Sequence, residues 1–430
     1  MPTPRVPARA FPQRNSTNKA TIGNRVLGVA IDPAKTSHKV LIFDYSPSII
    51  EGPFDIDVFR SGWNSLVGAI ERAKAALHIQ KVVIGIEASG PVSWPLVRQL
   101  GNRFKHVCLF NPLAVATRRK QKLLLGQKTD VIDVAVIGDL LLQGQGYPLK
   151  EANSVFAQLQ ELTYWRHYKS YMVGKLKQQI ADRFDKVFPG MTATIGNTRL
   201  ISDVNRNPFA YALANLGLTP QTIIRLSTQS LRKRLIPYIG VRGRPSAMRI
   251  KACVQQMLFP PIFQAKLELD LMKKDMRLLA LLQDEISEVE QQMVELVQQT
   301  PGKWLLGQIR GLSKVQVASY IGALGDPTEF PRAKEIYSLA GLVPRQHQSG
   351  LRKEKRTGVT KAGRKILRTV LFQIVRSVAL HEPVFRDYRS RLRITRGKSY
   401  RTAQIATANK LNRVLFALMR DQKQFCRGDT

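Results

Sequence analysis

Four carboxylates in the first third of the chain are spaced so that they could serve one reaction. The apolar run Val26-Leu-Gly-Val-Ala-Ile closes on Asp32, and Lys81-Val-Val-Ile-Gly-Ile closes on Glu87. Runs of this length, rich in β-branched residues and bounded by Pro33 or by Ala88-Ser89-Gly90, are predicted to be buried strands. Lys128-Thr-Asp130-Val-Ile-Asp133 opens a further apolar segment, residues 134–142. Three residues apart, Asp130 and Asp133 share one face of a helix. Each acid also has a plainer reading: Asp32 starts a turn before proline, and Asp130 and Asp133 cap a helix. Taken together, two acid-tipped strands and an acid pair on a helix could converge on one or two divalent cations. An oxygen-only donor set suits Mg²⁺, which needs few carboxylates besides the phosphates of a substrate.

A different chemistry is offered by Ser349, in the polar loop Gln348-Ser-Gly350 with Arg345 before it and Arg352, Lys353, Lys355, Arg356 and Lys361 after it. A serine hydroxyl can attack phosphorus and form a covalent intermediate if it is activated. Ser-Gly is also a common turn pair, and His347 suits a surface or phosphate-contacting position better than that of a base. A second basic run, Arg118-Arg119-Lys120-Gln121-Lys122, precedes the acid pair. It reads either as a solvated face or as a grip on a phosphate backbone.

The charge balance narrows the partners. Lys and Arg number 67 against 31 Asp and Glu, a net charge of +36 over 430 residues. An excess of this size points to a polyanion, with nucleic acid the default. Cys108, Cys253 and Cys426 are too scattered for a zinc ribbon or a disulfide framework and fit a reducing cytoplasm. No apolar run is long enough to span a membrane. Residues 1–24, rich in Pro, Arg, Ser and Thr and without acids, are expected to form a disordered basic arm.

The elements that must position these groups follow from periodicity. Residues 25–150 alternate strand and helix, with 40–43 as the hairpin partner of the first strand, so this part is expected to be an α/β sheet with helices on its faces. Residues 151–300 read as helical, with an irregular middle. Within them Leu279, Leu282, Ile286, Val289, Met293 and Leu296 form a heptad-like seam, which either packs within its own domain or makes a dimerising arm. Residues 301–425 form a third, mostly α part. In it Gln308-Ile-Arg-Gly311-Leu-Ser313 resembles the turn of a helix-hairpin-helix, whose backbone N–H groups hold phosphate. Arg386 to Arg401 is a further basic stretch, interleaved with Tyr388 and Tyr400.

The acid layout resembles the RNase H-like, RuvC-type sites of phosphoryl-transfer enzymes. In addition, Ala30-Ile-Asp32, Gly85-Ile-Glu87-Ala-Ser-Gly90, Asn111-Pro112, Lys128-Thr-Asp130-Val-Ile-Asp133, Ile309-Arg-Gly311, Ala340-Gly-Leu-Val-Pro344, Gln348-Ser-Gly350 and Thr360-Lys-Ala-Gly363 occur in this order. The series resembles the DEDD-type transposases of the IS-one-ten group of bacterial insertion sequences, also called bridge-RNA-guided recombinases. The resemblance implies a RuvC-like domain with Asp32, Glu87, Asp130 and Asp133 as a Mg²⁺-binding tetrad. It also implies a separate transposase domain with Ser349 as the nucleophile that becomes linked to DNA. The implied partners are double-stranded donor and target DNA, a structured guide RNA and further copies of the chain, as dimers pairing into a tetramer.

Two other readings stay open at this level. A RuvC-like junction resolvase or nuclease would use the acids with water and leave Ser349 idle. A non-enzymatic basic binder would use neither, and gains nothing from carboxylates turned toward phosphate.

Overall fold

The computed structural model describes residues 26–44, 49–122, 129–149, 154–192, 203–239, 247–343, 358–361 and 363–426, with a few isolated positions between 194 and 201. The chain divides after Asn153 into two units.

The N-terminal unit is a six-stranded mixed sheet of order β3-β2-β1-β4-β5-β6. Its strands are β1 (Val26–Pro33), β2 (Ser37–Phe43), β3 (Ile49–Asp57), β4 (Lys81–Glu87), β5 (Val107–Phe110) and β6 (Tyr147–Pro148). β1 pairs antiparallel with β2, as expected of the hairpin, and parallel with β4, which pairs parallel with β5. β3 was not legible: Glu51, Gly52, Pro53 and Asp55 interrupt its apolar pattern, and it is held as an outer strand on β2. The helices are α1 (Arg60–Leu77), α2 (Trp94–Arg103), α3 (Pro112–Lys122) and α4 (Asp130–Leu142).

Alternation along the strands sorts the side chains onto two faces. Leu27, Val29, Ile31, Ile84 and Ile86 pack with Leu66 and Ile70 of α1 and Leu100 of α2. Val26, Ala30, Val83 and Phe110 pack on the other face with Val134, Ile137 and Leu141 of α4. Gly28 lets the Phe43 ring lie flat on that second face, since an added Cβ would sit 2.4 Å from the ring. The unit is thus a mixed sheet with helices on both faces, compatible with an RNase H-like domain.

The second unit is helical: α5 (Ser154–Val187), α6 (Pro208–Leu216), α7 (Pro220–Arg225), α8 (Thr228–Ile239), α9 (Ala247–Gln255), α10 (Ile262–Val297), α11 (Lys314–Leu324), α12 (Ala333–Leu339), α13 (Lys365–His381), α14 (Pro383–Ile394) and α15 (Tyr400–Asp421). The heptad-like seam resolves in favour of packing within the chain. α10 lies antiparallel along α5, and Leu279 and Leu282 join a core with Leu176, Ile180 and Phe184. Charges knit the pair in reverse register: Arg166 with Glu290, Lys169 with Glu285, Arg183 with Asp275 and Lys186 with Glu268. α6 to α9 close over the far end of the pair, whereas α11 to α15 build a second core around Tyr320, Leu371 and Leu415 at the near end.

α11 crosses α5 at Gly322, where an added Cβ would lie 2.1 Å from Thr163 Oγ1 and 2.4 Å from the Leu159 carbonyl oxygen. Because backbone cannot retreat as a side chain can, Gly322→Ala is expected to cost about 1–3 kcal/mol in urea unfolding of this unit. Gly174, on the same α5 with open space around it, is the control. Gly174→Ala is expected to stabilise by up to about 1 kcal/mol. A neutral Gly322→Ala would mean the helices do not cross this closely.

Candidate active site

The β1–β4 register sets the first two acids side by side. Ile31 is level with Ile86, so the next residues, Asp32 and Glu87, end neighbouring parallel strands. By the pleat, both turn away from the α1–α2 face and toward the face that α4 covers. Both are half-buried. Lys39, opposite Asp32 on β2, is bound to Asp55 of β3 at 2.5 Å. After Glu87 the chain turns at once, as expected: Ala88 N–H donates to the Phe110 carbonyl, Ser89 N–H to that of Glu87, and Gly90 takes φ +75°.

α4 runs antiparallel to these two strands. Its end residues Leu141 and Leu142 line a small cleft with Val26, Gly28 and Val83 at the strand beginnings, while Ile137 and Leu141 lie over Gly85. From Ile137 back to Asp133 is about 6 Å of helix. From Gly85 on to Glu87 is about 7 Å of strand. The N-terminal turn of α4, with Asp130 and Asp133, therefore stands at the sheet edge that carries Asp32 and Glu87. Thr129 caps this helix, its Oγ1 accepting the Ile132 N–H at 3.3 Å. The two aspartates lie in the first turn, where the helix dipole favours negative charge. Asp130 is exposed and Asp133 buried.

Asp133 has a partner that the sequence did not disclose. Arg119 Nη1 donates to Asp133 Oδ1, and Arg118 pairs with Asp139 of α4 at 2.7 Å. The basic run, read as either a solvated face or a phosphate grip, is the last turn of α3, and its first two arginines pair with α4. Lys120 is exposed, and Lys122 ends the helix. α3 begins at the Asn111-Pro112 motif: Asn111 Oδ1 accepts the Leu113 N–H at 2.8 Å, and proline takes the first helical position.

The donors present are carboxylate oxygens, the chemistry that Mg²⁺ takes. Asp32, Glu87, Asp130 and Asp133 would hold such an ion by that chemistry. Among the described residues, no three His, Cys, Asp or Glu side chains are grouped closely enough to hold one as they stand.

In the second unit the two motifs that flank the serine segment are tied to each other. Thr360 N–H donates to the Val343 carbonyl at 2.9 Å, Lys361 N–H to Gly341 at 3.0 Å and Arg364 N–H to Leu339 at 2.7 Å. Arg364 Nη1 also caps the carbonyls of Ala323 and Leu324 at the end of α11, and Arg368 Nη1 reaches the Ala340 carbonyl. Gly363, at φ +140°, is required here, since a Cβ would lie 2.2 Å from the Leu339 carbonyl oxygen. Ser349, Arg345, His347, Arg352, Lys353, Lys355 and Arg356 lie outside the described residues. Lys361 is exposed, at φ +55°.

The hairpin at 308–313 differs from expectation. The element before it is one turn of 3₁₀ helix, Pro301–Leu305, rather than a full helix. Ser313, in place of a glycine, is the N-cap of α11 in a reciprocal capping box with Gln316. The Arg310 N–H donates to the buried carboxylate of Glu382, and Gly311 packs against Ser377 and His381 of α13. That backbone donor is thus satisfied within the chain.

Comparison with known proteins agrees with both ends of the chain. A model of DEDD transposases of the IS110 group, described as a transposase, matches residues 29–189, and one described as the IS116/IS110/IS902 transposase family matches residues 304–390. The two together cover more than half of the chain. The chain belongs to the IS110 family of transposases. Among individual relatives, it is 32% identical over 147 residues to the pilin gene-inverting protein of Moraxella bovis, a match covering 33% of this chain and 45% of that protein. It is 32% identical over 120 residues to the transposase for insertion sequence element IS1111A of Coxiella burnetii, covering 27% of this chain and 32% of that one. The matches thus span less than half the length of these relatives. The segments that the two family models match contain the residues described above: 29–189 all four acids and Arg119, and 304–390 the tied motifs at 340–343 and 360–363.

The Arg119–Asp133 pair generates a direct test. Its side chains are 17% and 6% exposed, and removing one partner of a buried pair leaves the other charge uncompensated. Arg119→Gln is expected to cost the N-terminal unit roughly 3 kcal/mol in denaturant unfolding. Arg118→Gln, breaking the more exposed pair with Asp139, should cost clearly less. Equal losses would mean that Asp133 is as well solvated as Asp139.

Proposed function

We propose that this protein is a DNA recombinase of an insertion sequence, which breaks and rejoins DNA strands with the carboxylates Asp32, Glu87, Asp130 and Asp133 and the nucleophile Ser349. The observation that supports the reading is that Asp32 and Glu87 end adjacent parallel strands on the sheet face that α4 covers, with the acid-bearing first turn of α4 toward the same edge. The relatives support the reaction class, since one is named for inverting a pilin gene and another for an insertion sequence.

In the reaction proposed, the Ser349 Oγ–phosphorus bond forms as the bond from phosphorus to one sugar oxygen breaks. The serine loses its proton and the departing sugar oxygen gains one. A phosphodiester is exchanged for another, so the hydroxyl of a different strand can reverse the step without an outside energy source. A bound Mg²⁺ supplies Lewis-acid polarisation of the phosphate oxygens. Asp32, Glu87, Asp130 and Asp133 would hold that ion beside the scissile phosphate, and this acid cluster, brought from another protomer, rather than His347, activates the hydroxyl. The tied base at Gly341, Val343, Thr360 and Arg364 fixes both ends of the segment that carries the serine.

The partners in this reading are donor and target duplex DNA, further copies of the chain as a dimer or tetramer, and a structured guide RNA that supplies sequence choice through base pairing. The charge excess supports two nucleic-acid partners better than one short duplex. No described helix is long and apolar enough to cross a membrane.

The test is a nicked suicide DNA substrate incubated with protein, the element's RNA and Mg²⁺, then denatured and examined for protein carrying labelled DNA. Wild type is expected to give the adduct. Ser349→Ala should lose both adduct and strand exchange, and His347→Ala should keep at least part of both. Asp32→Asn and Glu87→Gln should abolish exchange without unfolding the chain. Cleavage by Ser349→Ala with a water-derived end would make the protein a resolvase, and full activity in EDTA would remove the metal.

A further inference from the structure

The second unit carries a cationic corner that the reaction above does not use. Between Arg386 and Arg401 lie seven arginines and lysines against one acid, Asp387. The corner is formed by the end of α14, the turn through Gly397 at φ +57° and the start of α15. The family match ends at residue 390, so most of the corner lies beyond it.

The fold accounts for the inner side of α14. Phe385 and Leu392 are buried, and Arg389 donates to the Ala379 carbonyl at the end of α13. The outer side has no such account. Arg391, Arg393, Arg396, Lys398 and Arg401 are exposed, and among the described residues no carboxylate pairs with any of them. Cations are crowded here: partial burial and then Arg391 hold the Lys410 ammonium below its usual range. That crowding costs electrostatic energy, which no ion pair offsets among the described residues.

Aromatic groups are set among these charges. Arg393 stands over the Tyr400 ring at 5.6 Å, while Arg391 and Lys410 lie over Tyr388 at 5.8 Å and 4.8 Å. Tyr400 is still 49% exposed, and Ile394, next to Arg393 in the chain, is 84% exposed. A duplex presents phosphates and keeps its bases stacked inside, so it has little to offer an exposed ring and an exposed aliphatic tip. An unpaired strand offers both phosphates and base faces, which cations and aromatic rings bind together.

We infer that the α14–α15 corner is a binding site for an unpaired nucleic-acid strand, with Tyr400 stacking on a base and Arg393, Arg396 and Lys398 neutralising the adjoining phosphates. The inference rests on the proposed nucleic-acid role but concerns residues other than Ser349 and the four acids.

The experiment measures fluorescence anisotropy of the full chain with labelled oligouridine RNA, oligothymidine DNA and a duplex DNA of equal length, over a range of salt. Tyr400→Ala should weaken single-strand binding by about 5- to 150-fold, the size of one base–aromatic stack, and change duplex binding little. Tyr400→Phe keeps the ring and should bind like wild type. Replacing Arg393, Arg396 and Lys398 together by Gln should flatten the single-strand salt slope by about 2, at roughly 0.7 per phosphate contact. The larger loss between the RNA and DNA arms identifies the natural strand, and equal losses identify a site indifferent to the sugar. Parallel losses for duplex and single strands, or a Tyr400→Phe defect equal to that of Tyr400→Ala, would overturn the assignment. A chain that forms the serine adduct without any single-strand preference overturns only this inference, whereas a chain that binds none of the probes overturns the functional reading as well.

Discussion

Parallel pairing between β1 and β4 is the constraint on which the candidate site depends. With Ile31 level with Ile86, two acids 55 residues apart in sequence must end adjacent strands, and the pleat must turn them to one face. A slip of one residue would send either acid into the α1–α2 core. The apolar alternation on both faces resists that slip, because Leu27, Val29, Ile31, Ile84 and Ile86 would all have to exchange faces with Gly28, Ala30, Val83 and Gly85. The two glycines matter for the same reason: they let Phe43, Phe110 and α4 approach the sheet closely enough to bring the helix's acidic turn to the strand ends.

Charge in this protein is distributed by role rather than spread evenly. Some cations serve the fold, as in the ladder between α5 and α10 and the pair of arginines that α3 gives to α4. Arg119 is the case where the two uses meet, since its partner Asp133 belongs to the candidate tetrad. A guanidinium at that carboxylate lowers the cost of burying negative charge at the sheet edge. It also sets a competition, because any cation that takes Asp133 must displace it. The outer cations of the α14–α15 corner have no carboxylate partner among the described residues, and an external anion would offset their mutual repulsion.

Much of this was legible in the sequence, for identifiable reasons. β1, β4, β5 and α4 announce themselves by apolar runs with sharp ends, and the acids were conspicuous because each closes or opens such a run. The α5–α10 pairing was visible only as a seam, since a heptad pattern does not say whether its partner lies in the same chain. The Arg119–Asp133 pair was hidden because a basic run reads equally as a solvated face or a phosphate grip, and neither reading pairs it with a carboxylate of the same chain. The signal that could have exposed it was the Asn111-Pro112 helix start, which makes residues 112–122 a helix with an inner and an outer side. The hairpin at 308–313 misled for a related reason: a Gly-containing turn before a helix looks the same whether its N–H groups await phosphate or, as here for Arg310, are taken by a buried glutamate.

The central claim is that Asp32, Glu87 and the acidic turn of α4 form one divalent-cation site. Anomalous scattering from crystals of the full chain equilibrated with Mn²⁺ as a Mg²⁺ surrogate tests it most directly. The account predicts an anomalous peak within bonding distance of the Asp32 and Glu87 carboxylates, shared with Asp133 and accompanied by movement of Arg119 away from it. Saturating Mn²⁺ with no peak at that sheet edge, and Arg119 still bound to Asp133, would contradict it.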